Sequence, residues 1–326
     1  MKYPKRIPLA NIPTPLQKMS FQGSDFLIKR DDFTGLELSG NKVRKLEFIL
    51  LQAKKEGATK IFTCGGEQSN HSRATVAAAK AQGFEVKLFL WGKKSNKAEG
   101  NLFLDRFLGA DIRYLDKNEY LRVNSVMQEE YSLAREKGEK VFVVPEGGSS
   151  PLGIWGYINF IEELKFQTSL NKLKGIITAC GSGGTSAGLL VGAALNKLKL
   201  KVYAVNVLYT AGEMRDRILA LAEECIRMYK LPCKIDENNL VILDGYSREG
   251  YKDITEEKLE VIRSFAHNSG IILDPAYTGK AFYAFNENFL KGKVKTDVLF
   301  VHTGGLFGVF SKKEKYLAQA GFIPGK

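Results

Sequence analysis

The sequence has little of what metal sites, disulfide frameworks and membrane spans require. Its 326 residues include four cysteines and three histidines, with no CxxC pair and no metal-ligand spacing. We therefore expect no metal site, and reduced cysteines that pack as small apolar groups in a cytoplasmic protein. No run of 18 or more apolar residues is present, so no membrane partner is predicted. The basic segment 1–6 does not resemble a secretion signal.

The chain also lacks a concentrated run of one charge. It carries 48 Lys and Arg against 36 Asp and Glu, a net charge of +12, but the two signs are interleaved, as in residues 54–56 and 256–258. This pattern argues against nucleic-acid binding and favours a basic surface that attracts small anions. The length is enough for one large or two ordinary domains.

Short apolar runs, each followed by glycines and then a helical pattern, recur along the chain. Runs that are apolar almost throughout are typical of strands buried on both faces of a parallel sheet, so an α/β fold is predicted. The predicted strands are 60–63, 86–90, 141–144, 176–178, 202–205 and 298–301. Glycine loops, where ligands of open parallel sheets bind, are expected at 65–66, 147–148, 181–184 and 304–305.

One of these loops has the sequence Gly181-Ser182-Gly183-Gly184-Thr185. A strand, a glycine loop and a helix in this order form an anion site. No lysine follows the glycines as in a nucleotide P-loop. Only the first half of a dinucleotide fingerprint is present, and no acidic residue ends the next predicted strand. Pyridoxal phosphate is the third candidate, and it requires a lysine for covalent attachment.

Lys42 can supply that amine. Gly40 and Asn41 precede it, and they allow a tight turn that starts a helix with the lysine in its first turn. Taken alone, Lys42 is typical of a solvated helix lysine. Only in combination with the glycine loop far downstream does it indicate a cofactor site.

Seven ordered motifs resemble the fold type II pyridoxal-phosphate enzymes, and within them the 1-aminocyclopropane-1-carboxylate (ACC) deaminase and D-cysteine desulfhydrase family. The motifs lie at 28–32 with 40–47, 68–71, 100–101, 145–153, 181–185, 273–280 and 300–305. The resemblance covers nearly the whole chain. It implies two three-layer α/β domains with mainly parallel twisted sheets, as in the tryptophan synthase β subunit.

The resemblance also implies a domain division and an assembly. A large cofactor-binding domain would comprise residues 1–46 plus 155–326, and a smaller inserted domain residues 47–154. Homodimers are usual in the family, and the substrate would be a small amino acid.

Several site residues follow from the same resemblance. Lys42 matches the lysine that holds pyridoxal phosphate and moves protons once substrate has displaced it. Lys45, one turn later, is the rival and is expected to be an ion-paired or surface lysine. Ser69 matches a serine that contacts the substrate carboxylate or assists proton transfer, although alone it reads as a helix N-cap. Asn70 matches an asparagine that binds the ring oxygen, and His71 is expected to lie outside the chemistry.

Two tyrosines complete the implied catalytic set. The loop residues 181–185 would bind the phosphate, mostly through backbone N–H groups. Tyr277 matches a tyrosine that lies against the cofactor ring and acts in proton transfer. Tyr251 matches a second active-site tyrosine, with Tyr246 as its rival.

Two residues bear on the choice of reaction. Family members that open ACC, which has no α-hydrogen, carry a glutamate after the ring-facing tyrosine and a leucine after the last strand. This chain has Thr278 and Thr303 at these positions. A neutral hydroxyl stabilises a protonated ring nitrogen less than a carboxylate does.

The expected reaction is therefore β-elimination from a small D-amino acid, first of all D-cysteine, which would yield pyruvate, ammonia and hydrogen sulfide. ACC deamination to 2-oxobutanoate and ammonia is the alternative. A non-catalytic protein that binds the cofactor or a metabolite is the third.

Overall fold

The computed structural model describes residues 3–318, so residues 1–2 and 319–326 of the predicted large domain lie outside the described part. The strands are β1 (Leu16–Phe21), β2 (Ser24–Arg30), β3 (Lys60–Gly66), β4 (Glu85–Trp91), β5 (Asp111–Leu115), β6 (Val141–Val143), β7 (Gly175–Cys180), β8 (Lys201–Asn206), β9 (Leu240–Leu243) and β10 (Val298–His302). The helices are α1 (Asn41–Lys55), α2 (Asn70–Ala81), α3 (Gly100–Phe107), α4 (Lys117–Leu121), α5 (Val123–Glu136), α6 (Trp155–Lys165), α7 (Gly184–Leu195), α8 (Ala211–Tyr229), α9 (Glu256–Ser269), α10 (Thr278–Phe285), α11 (Leu306–Phe310) and α12 (Lys313–Ala318).

The strands form two separate sheets. The six-stranded sheet has the order β1-β2-β10-β7-β8-β9 and the four-stranded sheet the order β5-β4-β3-β6. All neighbours run parallel except β1 and β2. Every residue of β7 and β10 is buried, which explains why their sequences are apolar without alternation. The predicted α/β class and all six predicted strands are confirmed.

Each sheet carries helices on both faces. Side chains of α6, α7 and α8 pack on one face of the six-stranded sheet, and those of α9 and α10 pack on the other. The four-stranded sheet is covered by α1, α2 and α3 on one face and by α5 on the other. Two three-layer units result, because parallel strands need both faces covered.

The distribution of strands supports the proposed domain division without fixing its boundaries. The four-stranded sheet draws all its strands from residues 60–143, within the segment 47–154. The proposed boundary at 46/47 falls inside α1, whose first turn carries Lys42 and whose later turns pack on the four-stranded sheet. The division remains a proposal. In residues 3–318, no helix combines the length and apolarity that membrane crossing requires.

One predicted glycine loop is wrong. Gly65 and Gly66 are the last residues of β3 and pair with Leu90 and Trp91 of β4. Glycine is needed at position 65 for a different reason: a Cβ atom there would lie 2.6 Å from the Ser69 hydroxyl oxygen at the start of α2.

Candidate active site

The site lies where the carboxyl ends of strands from both sheets meet. A cavity of about 300 Å³ is lined from the four-stranded side by Ser69, which starts α2, and from the six-stranded side by Ser182 after β7. Lys42 and Tyr277 line both this cavity and a smaller one around the 181–185 loop, so the two cavities share a wall. Ligands of open parallel sheets bind at such edges.

Lys42 occupies the first turn of α1, as predicted. The helix begins after Gly40, which adopts φ +107° and lies so close to the opposite loop that a Cβ would come within 2.6 Å of the Thr303 carbonyl oxygen. Burial lowers the pKa of Lys42 to about 8, and the nearby Glu146 carboxylate partly opposes this shift. Within residues 3–318, no hydrogen-bond partner is found for the Lys42 amine.

The glycine loop has the predicted strand, loop and helix arrangement. It connects β7 to α7, and Gly183 caps the helix in a left-handed conformation with φ +88°. The backbone N–H groups of the first turn of α7 have no partners within that turn, and the helix dipole adds positive charge there. The Ser182 and Ser149 hydroxyls bond each other at 2.8 Å, and the Thr185 hydroxyl accepts a bond from the Asn41 side chain at 3.0 Å.

The expectation of a surface or ion-paired Lys45 is wrong. Lys45 is 1% exposed, and its amine donates to the Gly147 carbonyl oxygen at 3.1 Å and the Ser149 hydroxyl at 3.3 Å. Its Nζ lies 2.8 Å from where a Cβ on Gly184 would be, so the ammonium reaches the start of α7. Burial and the Lys42 charge hold the pKa of Lys45 well below its usual value.

The three residues that open α2 have distinct surroundings. The Ser69 hydroxyl caps the helix by accepting from the Ser72 N–H at 3.1 Å, as expected of an N-cap, and it lines the larger cavity. Asn70 lines the smaller cavity, and its Oδ1 accepts from the Asn101 side chain at 2.9 Å. His71 also reaches the larger cavity, but its Nε2 bonds the Thr63 hydroxyl at 2.8 Å.

Only one of the two rival tyrosines lies at the cavity. The Tyr251 and Tyr277 hydroxyls bond each other at 2.8 Å, and both side chains line the larger cavity. Burial raises the pKa of both phenols, so both are neutral near pH 7. Tyr246 instead accepts from the Asn288 side chain at 2.7 Å and packs against Tyr283. The geometry favours Tyr251 as the second site tyrosine.

The two threonines differ in position. Thr303 lines the smaller cavity and is 7% exposed. The Thr278 side chain is fully buried, donates to Asp274 Oδ1 at 2.6 Å and accepts from the Asp274 N–H at 2.9 Å. Thr303 is therefore the threonine on the cavity wall, and direct cofactor binding by Thr278 remains a prediction.

Sequence reasoning missed one acidic residue that lines the larger cavity. Glu146 follows β6 in the motif Pro145-Glu146-Gly147-Gly148 and lines the larger cavity. Its two carboxylate oxygens accept from Tyr120 at 3.0 Å and Tyr209 at 3.1 Å. The available signal was its place at the carboxyl end of a parallel strand, directly before two glycines.

The residues fit pyridoxal phosphate. Lys42 offers a half-buried amine with a lowered pKa for covalent attachment. The start of α7 leaves space for a phosphate only because glycine stands at position 184. A Cβ atom there would lie 2.4 Å from the Ser149 hydroxyl oxygen. Lys45 places an amine beside this space that a bound phosphate would favour in its charged form, and no carboxylate is among the described residues that line the smaller cavity. A phosphate would therefore be bound by dipole, backbone donors and ammonium together.

Comparison with known proteins agrees with this fit. A family model described as "Pyridoxal-phosphate dependent enzyme" matches residues 7–304. A Thermotoga maritima protein named "Putative 1-aminocyclopropane-1-carboxylate deaminase" is 42% identical over 95% of this chain and 99% of its own length. The Arabidopsis thaliana "Bifunctional D-cysteine desulfhydrase/1-aminocyclopropane-1-carboxylate deaminase, mitochondrial" is 36% identical over 96% of this chain and 81% of its own length.

A solved structure of an "ACC deaminase homologue" superposes with a TM-score of 0.86. It is 36% identical, and the match covers 97% of this chain and 96% of that one. The sequence resemblance, the fold type II architecture and the cofactor are thereby confirmed. The chain belongs to the pyridoxal-phosphate dependent enzymes.

Proposed function

We propose that this enzyme eliminates the β-substituent of a small D-amino acid and that D-cysteine is such a substrate. The observation that carries the proposal is the neutral wall of the smaller cavity. Thr303 contributes a hydroxyl there, and none of the described residues lining it is a carboxylate. A ring nitrogen without a carboxylate partner is less readily protonated, which suits a substrate with an α-hydrogen and a good leaving group.

The chain's own groups provide substrate binding. The start of α2 presents backbone N–H groups and the Ser69 hydroxyl to the larger cavity, and the positive end of the helix dipole attracts the substrate carboxylate. Ser69 and Lys42 lie on opposite sides of the cleft, one on each sheet unit. Substrate that contacts both would close the cleft and exclude water.

Lys42 is proposed as the base. Its pKa of about 8 lets a substantial fraction of the amine be neutral near physiological pH, so Nζ can take the α-proton and later return one. When bound, pyridoxal phosphate supplies electron withdrawal from the α-carbon. Tyr277 and Tyr251 stay protonated, and the hydrogen bond between their hydroxyls orients both side chains. Either hydroxyl can donate a hydrogen bond to a ligand at the cavity wall.

The cofactor would be held by groups on several elements. We assign the phosphate to residues 181–185 and to Lys45, the ring face to Tyr277, and the ring substituents to Asn70 and Thr303. The proposed assembly is a homodimer of two-domain subunits.

ACC deamination is the second candidate, because relatives that match nearly the whole chain carry that activity in their names. One panel separates the two reactions. Purified holoenzyme is given ACC, D-cysteine, L-cysteine and D-serine while keto acid and sulfide are measured. Sulfide and pyruvate from D-cysteine without 2-oxobutanoate from ACC would support the proposal. Production of 2-oxobutanoate from ACC without sulfide from D-cysteine would show that the threonine argument is wrong.

The role of Lys42 has a separate test. The Lys42→Ala variant should lose both turnover and the visible absorbance of the covalently bound cofactor. The matched control is Lys55→Ala, which removes an exposed lysine from the last turn of the same helix and should keep both. Retention of the visible band in Lys42→Ala would contradict the assignment.

A further inference from the structure

Glu146 lies in the wall of the larger cavity and is held there by contacts from both sheet units. Tyr120, in α4 next to the four-stranded sheet, donates to Oε1 at 3.0 Å. Tyr209, which follows β8 of the six-stranded sheet, donates to Oε2 at 3.1 Å. Burial raises the pKa of both phenols, that of Tyr209 to about 12, so both are donors and Glu146 is the acceptor.

The carboxylate retains capacity for a ligand. Each carboxylate oxygen has two acceptor positions, and each receives one hydroxyl bond from the tyrosines. Because two side chains from different elements fix its orientation, little conformational entropy is lost when it binds a third donor.

The charge of the cavity makes Glu146 distinctive. It is the only acidic side chain among the described residues that line this cavity, where Lys42 and Lys117 supply the basic ones. If the start of α2 binds the substrate carboxylate, the α-amino group displaces Lys42 from the cofactor and Lys42 faces the α-carbon, the remaining polar part of a small amino acid is its β-substituent. A carboxylate next to that group repels an anion and attracts a cation or a neutral donor.

We propose that Glu146 accepts a hydrogen bond from the β-substituent and selects D-amino acids whose β-substituent is a donor, above all a β-ammonium group as in D-2,3-diaminopropionate. The inference rests on the proposed β-elimination and deepens it. The group that Glu146 would bind is also the group that leaves.

The reaction on this substrate balances without an added oxidant or acid. The α-proton passes to Lys42 Nζ, and its electron pair forms the bond between the α- and β-carbons. The β-carbon to nitrogen bond breaks, and its electron pair leaves on nitrogen as ammonia. Water then replaces the α-amino group, so one substrate and one water give pyruvate and two molecules of ammonia.

The test compares two substrates of similar size. D-2,3-Diaminopropionate has a β-ammonium donor, whereas β-chloro-D-alanine has no donor. Pyruvate release by the holoenzyme gives KM and kcat, and the change in the visible band of the bound cofactor gives dissociation constants for both amino acids even without turnover. The variant is Glu146→Gln, which keeps the shape and removes the charge.

The matched control is Glu67→Gln, which removes a carboxylate near the cleft that is not in the cavity wall and lies 3.8 Å from the Lys252 amine. Glu146→Gln should raise KM and the dissociation constant of the β-ammonium substrate about tenfold or more, because a charge-assisted bond is lost. The values for the chloro substrate should change less, because the lower Lys42 pKa that follows loss of the Glu146 charge affects both substrates alike. Glu67→Gln should leave the preference between the two substrates unchanged.

Two results would overturn the inference. An unchanged preference in Glu146→Gln would show that the carboxylate does not contact the β-substituent. An equal loss for both substrates would show that it acts only by supporting Lys42 or the tyrosines. If instead no amino acid in the panel is turned over, but Glu146→Gln still weakens binding of the β-ammonium compound alone, β-elimination fails while the assignment of Glu146 stands.

Discussion

Replacing Lys45 with methionine should weaken binding of pyridoxal phosphate without harming the fold. The ammonium has three N–H donors, of which the Gly147 carbonyl and the Ser149 hydroxyl accept two. One donor is left for a phosphate at the start of α7. A charged hydrogen bond contributes about 1.5–3 kcal/mol. We therefore expect the apparent dissociation constant of the cofactor to rise about 10- to 100-fold, at about 1.4 kcal/mol per factor of ten.

The apoprotein should fold as well as before. Methionine fills a similar volume and adapts to irregular space. Its introduction also removes a cation that burial and Lys42 disfavour, as the lowered pKa of Lys45 shows. The loss of the hydrogen bond to the Gly147 carbonyl opposes this gain, so the thermal midpoint of the apoprotein should change little, whereas that of the holoenzyme at limiting cofactor should fall.

The assay is a titration of apoprotein with pyridoxal phosphate, followed by the visible band, for the native protein, Lys45→Met and the control Lys55→Met. A bound phosphate favours the charged amine, so binding takes up a proton at Lys45, and this contribution to the affinity decreases as pH rises. Covalent attachment needs neutral Lys42, whose pKa is about 8, and this contribution favours higher pH. Lys45→Met should lose only the first contribution, so its affinity should rise more with pH than that of the native protein. An unchanged affinity, or a loss of affinity with an unfolded apoprotein, would refute the reasoning.

Two further predictions concern the Glu163 ion pairs and the choice between the tyrosines Tyr251 and Tyr246. Burial alone would raise the pKa of Glu163, but its bonds to Arg44 and Lys29 lower it to about 2. This group therefore contributes stability above pH 4.5 that is lost as pH falls from 4.5 to about 2, and denaturant unfolding of Glu163→Gln should lack that part of the acid dependence. Tyr251→Phe should lower kcat, whereas Tyr246→Phe should not; equal effects in steady-state kinetics would contradict the choice of Tyr251.

Local sequence signals predicted much of the fold. The six apolar runs became strands because residues buried on both faces need no alternation, and β7 and β10 are buried throughout. Lys42 lies in the first turn of a helix because Gly40 permits the turn before it, and Ser69 caps α2 as its residue type favours. These outcomes depend on neighbours a few residues away.

The errors arose where distant segments meet. Lys45 was expected to be ion-paired or at the surface, since lysine is seldom buried, but α1 packs between the two sheet units and turns it toward residues 147–149. Gly65 looked like a loop glycine, although the space it leaves is taken by the Ser69 hydroxyl. No local pattern contains either fact.

The sequence by itself determined the strand and helix periodicity and the anion-binding loop. It also determined that Lys42 lies in the first turn of a helix, because Gly40 permits the turn before it. Tertiary structure alone decided that Tyr251 rather than Tyr246 meets Tyr277, and that Thr303 rather than Thr278 reaches the cavity wall. The physical reason is the distance in sequence over which each interaction acts. Propensity and capping act within one or two turns, whereas a binding site is made by side chains from strand ends far apart in sequence.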